Sequence, residues 1–143
     1  MSEFVIEPYV GTNKLKFSTS EEQCKAILGE PIRQSKNRKN EPKLVYKDQE
    51  LTLEIGGARI VEIAFRPDAI VLLNDIDVFN DVDALAKLSK IDAPLEYVGI
   101  LFFQALGISA TGLHNKDEKV VTAISLGRFD AIVHNFHPYE ATQ

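Results

Sequence analysis

The 143-residue sequence contains a single cysteine, Cys24, so it cannot form an intramolecular disulfide. It has no apolar run close to the roughly 20 residues that a membrane-spanning helix needs. The first residues, Met1 to Phe4, lack the basic and apolar segments of a secretory signal. Together these absences favour a reducing compartment, and we expect a soluble cytoplasmic protein that makes no membrane contact.

Basic residues are in the minority, with 16 Lys and Arg against 21 Asp and Glu and a net charge of −5. Binding to nucleic acid requires a concentrated basic face that neutralises phosphates, so this balance argues against a nucleic-acid partner. Apolar residues make up 45% and charged residues 26%, which are ordinary values for a globular chain. We predict that residues 1–143 form a single domain.

Motifs for catalysis are also missing. Ser109 and Ser125 lie in strand-like segments without the G-x-S-x-G sequence of a nucleophile elbow. Gly56-Gly57 indicates a hairpin turn rather than a phosphate-binding loop. Cys24 lies on the apolar stripe of a predicted helix, where burial is expected rather than activation. We therefore predict no catalytic residue and no cofactor.

The first half of the chain predicts an extended segment over residues 4–17, then a helix. Ser18 and Glu21 match the S-x-x-E capping box, and Gly29 followed by a proline is a typical helix end. One helix face is expected to be buried, and it contains Cys24, Ile27 and Leu28. Residues 32–42 are polar and basic and predict an exposed loop. Alternating apolar residues then predict three strands, at 44–46, 51–55 and 59–66.

The second half predicts the same kinds of element. A β-branched and aliphatic run over 70–73 is followed by a helix over about 81–91. The buried stripe of that helix is predicted to contain Val82, Leu85, Leu88 and Ile91. Three further strands are predicted at 97–104, 108–112 and 119–126. The tail contains apolar residues that predict docking onto the body, namely Phe129, Ile132, Val133 and Phe136.

Both halves therefore run as an apolar segment, a capped helix, a proline and three strands. We interpret this pattern as an α+β fold of two tandem helix-plus-antiparallel-sheet repeats. The repeats would cover residues 4–67 and 68–127, with a C-terminal tail at 128–143. The helices are expected to pack on one face of the sheet. Chance similarity between two α+β halves is the alternative.

Residues 11–31 also resemble a known family motif. The matching residues are Gly11, Leu15, Phe17, Ser18, Glu21, Glu22, Leu28, Gly29 and Pro31. They resemble the G-x-I-x-x-G-M-T-x-E-E-V-x-x-x-L-G-x-P opening of SmpA/OmlA-type lipoproteins and of the repeats in β-lactamase inhibitor protein-like domains. The resemblance implies a doubled helix-and-sheet unit that grips a partner protein. Ser18 and Thr19 replace the usual Gly-Met, and the lipoprotein signal and a cysteine pair are missing, so the resemblance implies fold rather than those families' roles.

Three groups of residues are candidates for binding a partner protein. The basic group would meet an acidic surface or a phosphate, and it consists of Arg33, Lys36, Arg38 and Lys39. No aromatic residue lies among these cations, which argues against a groove for single-stranded nucleic acid. The acidic candidates, Asp75 and Asp77, lack the ligand order of a calcium-binding EF-hand and are expected in a turn. Tyr97 and Phe102 would anchor a partner if they lay on an exposed sheet face.

The alternative is a small metal- or ligand-binding enzyme with a pocket between the two halves. Its candidate ligands are Asp130, His134 and His137, although Pro138 disfavours the regular helix that would align the two histidines. A flat, exposed, aromatic sheet face would favour the protein-binding module. An inhibitor or immunity-type protein is one such module. A closed pocket with converging His and Asp groups would favour the enzyme. The oligomeric state is left open, with a homodimer among the options.

Overall fold

A computed structural model describes residues 3–140 and has an α+β fold with three α-helices, a nine-stranded sheet and a four-stranded sheet. The predicted α+β class is therefore confirmed. The helices are α1 (Glu21–Leu28), α2 (Ala84–Ile91) and α3 (Leu126–Ile132), and a 3₁₀ turn covers Val133–Asn135. Within residues 3–140, no helix has the length and apolar character needed to cross a membrane.

Thirteen strands make up the two sheets. In chain order they are β1 (Glu3–Glu7), β2 (Gly11–Thr12), β3 (Arg33–Lys36), β4 (Pro42–Val45), β5 (Glu50–Leu53), β6 (Ile60–Phe65), β7 (Ile70–Leu73), β8 (Ile76–Asp77), β9 (Leu95–Tyr97), β10 (Ile100–Phe103), β11 (Ile108–Thr111), β12 (Val120–Ile124) and β13 (His137–Pro138).

The nine-stranded sheet is antiparallel throughout, in the order β13-β9-β10-β11-β12-β6-β5-β4-β3. The two halves of the chain meet between β6 and β12, where Ile63 lies opposite Ala123. The smaller sheet has the order β2-β1-β7-β8, and β1 pairs in parallel with β7. The sequence did not predict this second sheet, because a parallel pairing between distant segments leaves no local signal.

The main core lies between one face of the large sheet, the small sheet and the first two helices. Leu51, Ile63 and Ala123 are fully or almost fully buried at facing positions of adjacent strands. They belong to the same buried cluster as Phe4 of β1 and Leu88 of α2. Both halves of the chain therefore contribute to one apolar cluster.

A second cluster forms on the other side of β10. Side chains alternate along a strand, so Phe102 points away from its core neighbours Leu101 and Phe103. The C-terminal segment covers it through Phe129 of α3 and through Phe136. The predicted docking of the tail is confirmed, whereas the predicted placement of helices on one sheet face does not extend to α3.

Helix α1 begins later than predicted. Its N-cap is Ser20, whose side chain forms a capping box with Gln23, rather than Ser18 with Glu21. The N–H of Ile60 donates to the backbone carbonyls of Phe17 and Thr19, which holds the turn before Ser20 outside the helix. The predicted end at Gly29 is confirmed, as is burial of Cys24, but Ile27 is 59% exposed.

The second half differs from the prediction at three places. Helix α2 begins at Ala84, so Val82 precedes it and is 97% exposed, and Ile91 is also exposed. The predicted strand at 97–104 is a hairpin of β9 and β10, whose turn at Val98-Gly99 has positive φ. The predicted strand at 119–126 ends at Ile124, because the Ser125 side chain accepts a hydrogen bond from the helix that follows.

Candidate functional site

The segment predicted as an exposed loop, residues 32–42, contains an edge strand. Strand β3 pairs with β4 so that Arg33 lies opposite Val45 and Lys36 opposite Pro42. All four β3 residues are exposed, whereas Leu44 of β4 is buried and anchors the pair to the core. A strand that buries none of its own side chains shows no apolar alternation, which is why the sequence predicted a loop.

The backbone of β3 presents hydrogen-bonding groups to its outer side. Pro42 has no N–H, so its pair with Lys36 cannot be a hydrogen-bonded one. The neighbouring bond from the Asn37 N–H to the Glu41 carbonyl, at 3.1 Å, agrees with this pattern. Bonded and non-bonded pairs alternate along an antiparallel ladder, so the N–H and C=O groups of Gln34 and Lys36 both point away from β4. In the described part of the sheet β3 is the last strand, so these groups lie on its open edge.

The side chains of this region are strongly basic. Residues 33–39 contain four of the 16 basic residues of the chain and no acidic residue, although the net charge of the chain is −5. Arg33 and Lys36 lie on β3, and Arg38 and Lys39 lie in the turn that follows. All four are exposed, and we call this set the basic edge.

The turn between β3 and β4 is held by a network centred on Asn37. Its side-chain oxygen accepts hydrogen bonds from the N–H groups of Lys39 and Glu41, both at 3.0 Å. Its amide nitrogen donates to the Glu41 carboxylate at 2.8 Å. Asn40 adopts φ 65°, a left-handed conformation that asparagine tolerates well. The two turn cations of the basic edge are therefore carried on an ordered scaffold.

A partly buried charge cluster ties this turn to the rest of the sheet. Arg128 of α3 donates to both carboxylate oxygens of Glu41, at 2.6 and 2.9 Å, and its Nε donates to Glu62 of β6 at 2.7 Å. Glu41 is only 7% exposed. A two-pronged contact of this kind fixes the orientation of both partners. Helix α3 therefore holds the turn of the basic edge through Arg128, which is 87 residues from Glu41 in the sequence.

The pKa directions of Glu41 and Arg128 agree with an ionised pair. Burial by itself would raise the pKa of the Glu41 carboxyl, but hydrogen bonds from Arg128 and Asn37 and the charge of Arg128 hold that pKa below its ordinary value. Burial likewise works to lower the pKa of Arg128, and the two carboxylates raise it above its ordinary value. Each partner thus keeps the other charged.

The other predicted binding residues do not join the basic edge. Asp75 lies in the turn between β7 and β8, and Asp77 accepts hydrogen bonds from Asn80, so both serve the small sheet as turn residues. Tyr97 is 41% exposed and lies against Phe136, with ring centroids 5.6 Å apart. Phe102 is only 6% exposed and is stacked on Phe136 at 4.0 Å. The prediction that Phe102 anchors a partner on an exposed face is therefore wrong, because the tail covers it.

The candidate metal ligands Asp130, His134 and His137 are exposed and do not form a cluster. Among residues 3–140 there is no group of three His, Cys, Asp or Glu side chains placed to hold a metal ion. His137 instead lies 3.6 Å from Glu96 of β9, whose other oxygen lies 3.4 Å from the enclosed ring of His114. These groups come from separate segments, so no local spacing predicted their approach.

The remaining chemical candidates are also explained by packing. Burial, followed by the charge of Glu21, raises the pKa of the Cys24 thiol to about 11, which keeps it protonated and unreactive at neutral pH. A cavity of about 320 Å³ lies between β6 and the start of α3, and its lining contains no histidine or aspartate. This cavity does not provide the converging His and Asp groups that an enzyme of the alternative kind would need.

Sequence reasoning identified the cations of the basic edge but missed the residues that position them. Asn37 and Asn40 flank Arg38-Lys39, and paired asparagines are a turn signal that was present in the sequence. Glu41 and Arg128 left no such signal, because their contact joins segments that are far apart in the chain.

Comparison with known proteins adds no relative: no family model, curated protein or solved structure matches the chain at a significant level.

Proposed function

We propose that the protein is a protein-binding module that meets an acidic partner through the basic edge. The observation that carries this proposal is that Arg33, Lys36, Arg38 and Lys39 all lie within residues 33–39 and form no salt bridge within the described residues, although the charge of Lys39 also acts on Glu41. Nearby cations behave differently, since Lys43 pairs with Glu50 at 2.9 Å and Arg128 with Glu41. Clustered cations without partners attract an oppositely charged surface and accelerate its association.

The structural setting of the turn supports the same conclusion. A binding surface that is ordered before the partner arrives loses less conformational entropy on association. The bonds of Asn37 and the contact between Glu41 and Arg128 order the turn that carries Arg38 and Lys39. An aromatic sheet face was the docking surface predicted from the sequence, but Phe102 is covered, and this shifts the proposal from the face of the sheet to its edge.

A competing explanation is that these cations only prevent edge-to-edge aggregation, as lysines at sheet edges often do. That role needs charges on the exposed strand, which Arg33 and Lys36 would supply. Protection against aggregation does not require Arg38 and Lys39, which lie on a turn that Arg128 holds in place. The two explanations differ in what reversing the charge should change.

The test compares two double variants of equal net charge. Lys36→Glu with Lys39→Glu reverses the basic edge, whereas Lys90→Glu with Lys116→Glu reverses two exposed lysines elsewhere. Tagged wild-type protein is used to capture partners from a lysate of its own source at moderate salt. We expect one stoichiometric acidic protein that the first variant loses and the control retains.

Retention of that partner by both variants would contradict the proposal. If the charge-reversed variant kept the partner but aggregated, the cations would serve to protect the sheet edge instead. An inhibitor or immunity-type role would appear as loss of the partner's own activity when the wild-type protein is added.

We also propose that the two halves are tandem repeats. The order of elements supports it: each half runs as two short strands, an eight-residue helix and a four-stranded antiparallel meander. The halves also meet symmetrically, with β6 beside β12 in one sheet and β1 beside β7 in the other. A crystal structure in which residues 4–67 could not be superposed on 68–127 would count against the duplication.

We propose further that the protein acts in a reducing compartment such as the cytoplasm. The support is that its single cysteine is a buried free thiol. Fractionation of source cells that placed the protein in an oxidising compartment would contradict this proposal.

A further inference from the structure

We infer that the acidic partner contributes an extended segment that adds to β3 as a further strand of the large sheet. This inference rests on the proposed function and specifies how the basic edge is used. Extended peptides add to exposed sheet edges through main-chain hydrogen bonds, while side chains at alternate positions provide specificity.

The backbone of β3 meets the first requirement. The N–H and C=O groups of Gln34 and Lys36 point away from β4, as the non-bonded pairing of Lys36 with Pro42 requires. Residues 32–36 are all exposed, so an incoming strand can reach these groups. The inner side of β3 is already fully used, since Asn37 N–H bonds the Glu41 carbonyl and the ladder to β4 continues to Arg33.

The side chains of β3 specify the chemistry of the added strand. Side chains alternate between the two sheet faces, so Arg33 and Ser35 share one face, and Gln34 and Lys36 share the other. On the second face Gln34 also accepts a hydrogen bond from Lys25 of α1 at 3.1 Å, but Lys25 is paired with Glu21 at 3.4 Å, so Lys36 supplies the available charge there. Each face therefore offers positive charge to the neighbouring strand, and opposite charges in facing positions stabilise a pair of strands.

The same charges argue against a second copy of this chain as the occupant. Pairing β3 of one molecule with β3 of another would bring two sets of cations together, and like charges on facing strands are destabilising. Arg38 and Lys39 continue the positive charge beyond the end of the strand. An acidic segment of another protein satisfies both the backbone and the side chains.

The experiment uses the full chain and a synthetic peptide of alternating glutamate and valine. A peptide of alternating lysine and valine is the control. We expect the acidic peptide to slow hydrogen exchange at the Gln34 and Lys36 amides, with little change at the Lys43 amide, which already faces β3. The lysine peptide should leave all three amides unchanged.

Two variants then separate main-chain pairing from simple charge attraction. Gln34→Pro removes one outward N–H at an edge position where proline is tolerated, and Gln34→Ala keeps that N–H. We expect the proline variant to bind the peptide and the captured partner about tenfold more weakly than the alanine variant. Protection of the Lys43 amide in the proline variant verifies that β3 and β4 remain paired.

The outcomes distinguish this inference from the proposed function. Equal binding by the proline and alanine variants, or no added protection at Gln34 and Lys36, would overturn strand addition. If Lys36→Glu with Lys39→Glu still abolished partner capture in that case, the proposed function would stand on charge alone. If the charge-reversed variant also kept its partner, both would be wrong.

Discussion

The two edges of the nine-stranded sheet end in opposite ways. At one edge β13 has only two residues, and Tyr139 N–H donates to the Pro94 carbonyl just beyond its pairing with β9. Pro138 therefore occupies the non-bonded position opposite Leu95, where an N–H would point outward, and it has none. At the other edge the corresponding outward positions are Gln34 and Lys36, which both keep an N–H. The comparison shows one edge closed by its backbone chemistry and one left open but basic.

Packing on the sheet face anchors the segment that leads into β13, although β13 itself is as exposed as β3. Phe136, just before β13, is stacked on Phe102, and α3 supplies Phe129 beneath it. The side chains of β3 bury nothing. Protein edges are usually blunted by short strands, prolines or charges, and this sheet uses the first two at one end and the third at the other. Charge alone leaves backbone groups available, which is why we propose that only the β3 edge accepts a partner.

The largest expected effect comes from removing the aromatic packing that anchors the segment leading into β13. Phe129 is fully buried and contacts the rings of Tyr9, Phe102 and Phe136. Phe129→Ala should lower the free energy of unfolding by about 3–5 kcal/mol, because it leaves a cavity in the second cluster. Urea denaturation measures the loss, and hydrogen exchange at the Tyr139 amide reports whether β13 detaches.

Phe129→Leu is the matched control, for which we expect a loss below about 1.5 kcal/mol. Unchanged protection of the Tyr139 amide in the alanine variant would show that β13 stays paired with β9 without Phe129. The claim that aromatic packing anchors β13 would then be wrong.

A smaller effect is expected from the charge cluster that holds the open edge. Glu41→Gln removes a charged partner of Arg128, and we expect a loss of about 1.5–3 kcal/mol at neutral pH, a range typical of charged hydrogen bonds. The folded-state pKa of Glu41 is lowered, so its contribution is complete above the ordinary value of 4.5 and is lost as the pH falls through the folded-state pKa. The stability difference between wild type and variant should therefore shrink on acidification.

Urea denaturation of both proteins at a series of pH values checks this expectation. A difference that stayed constant, or grew, as the pH fell below 4.5 would mean that ionised Glu41 does not stabilise the fold.

The smallest effect is expected at Pro138. Pro138→Ala should cost about 0.4–1 kcal/mol, mainly because the unfolded chain gains conformational freedom. The variant gains an outward N–H on β13, but residues 133–140 contain no Lys or Arg, so we expect β13 to bind the acidic peptide no better than in wild type in a titration followed by hydrogen exchange. New protection at the alanine amide would show that backbone access, rather than charge, distinguishes the two edges.

Local sequence patterns predicted those parts of the fold that local forces decide. Gly29 ends α1 as predicted. The alternation of Leu51 and Leu53 marked β5, but the predicted strand ran on to Ile55, which lies in the turn beyond β5 and is 68% exposed. The start of α1 was misplaced because Ser18 with Glu21 and Ser20 with Gln23 both fit a capping box. Only the bonds from the Ile60 N–H to the Phe17 and Thr19 carbonyls select the second.

The candidate site was predicted in its charges but not in its geometry. Arg33, Lys36, Arg38 and Lys39 were identified from composition, since a run of cations is visible in any sequence. Their strand was not predicted, because β3 exists only through its pairing with β4. The burial of Phe102 depends on a tail more than 25 residues away in the chain, at Phe129 and Phe136, and no periodicity encodes that contact.

The pairing of β6 with β12 also has a consequence for biosynthesis. Strand β6 ends at Phe65, but its neighbour on that side is complete only at Ile124, after about 60 further residues, so synthesis takes several seconds between them. During that interval the nascent first half has β6 exposed as a hydrophobic edge in addition to the basic edge. A ribosome-bound chaperone would protect the chain at this stage, and faster elongation would shorten it.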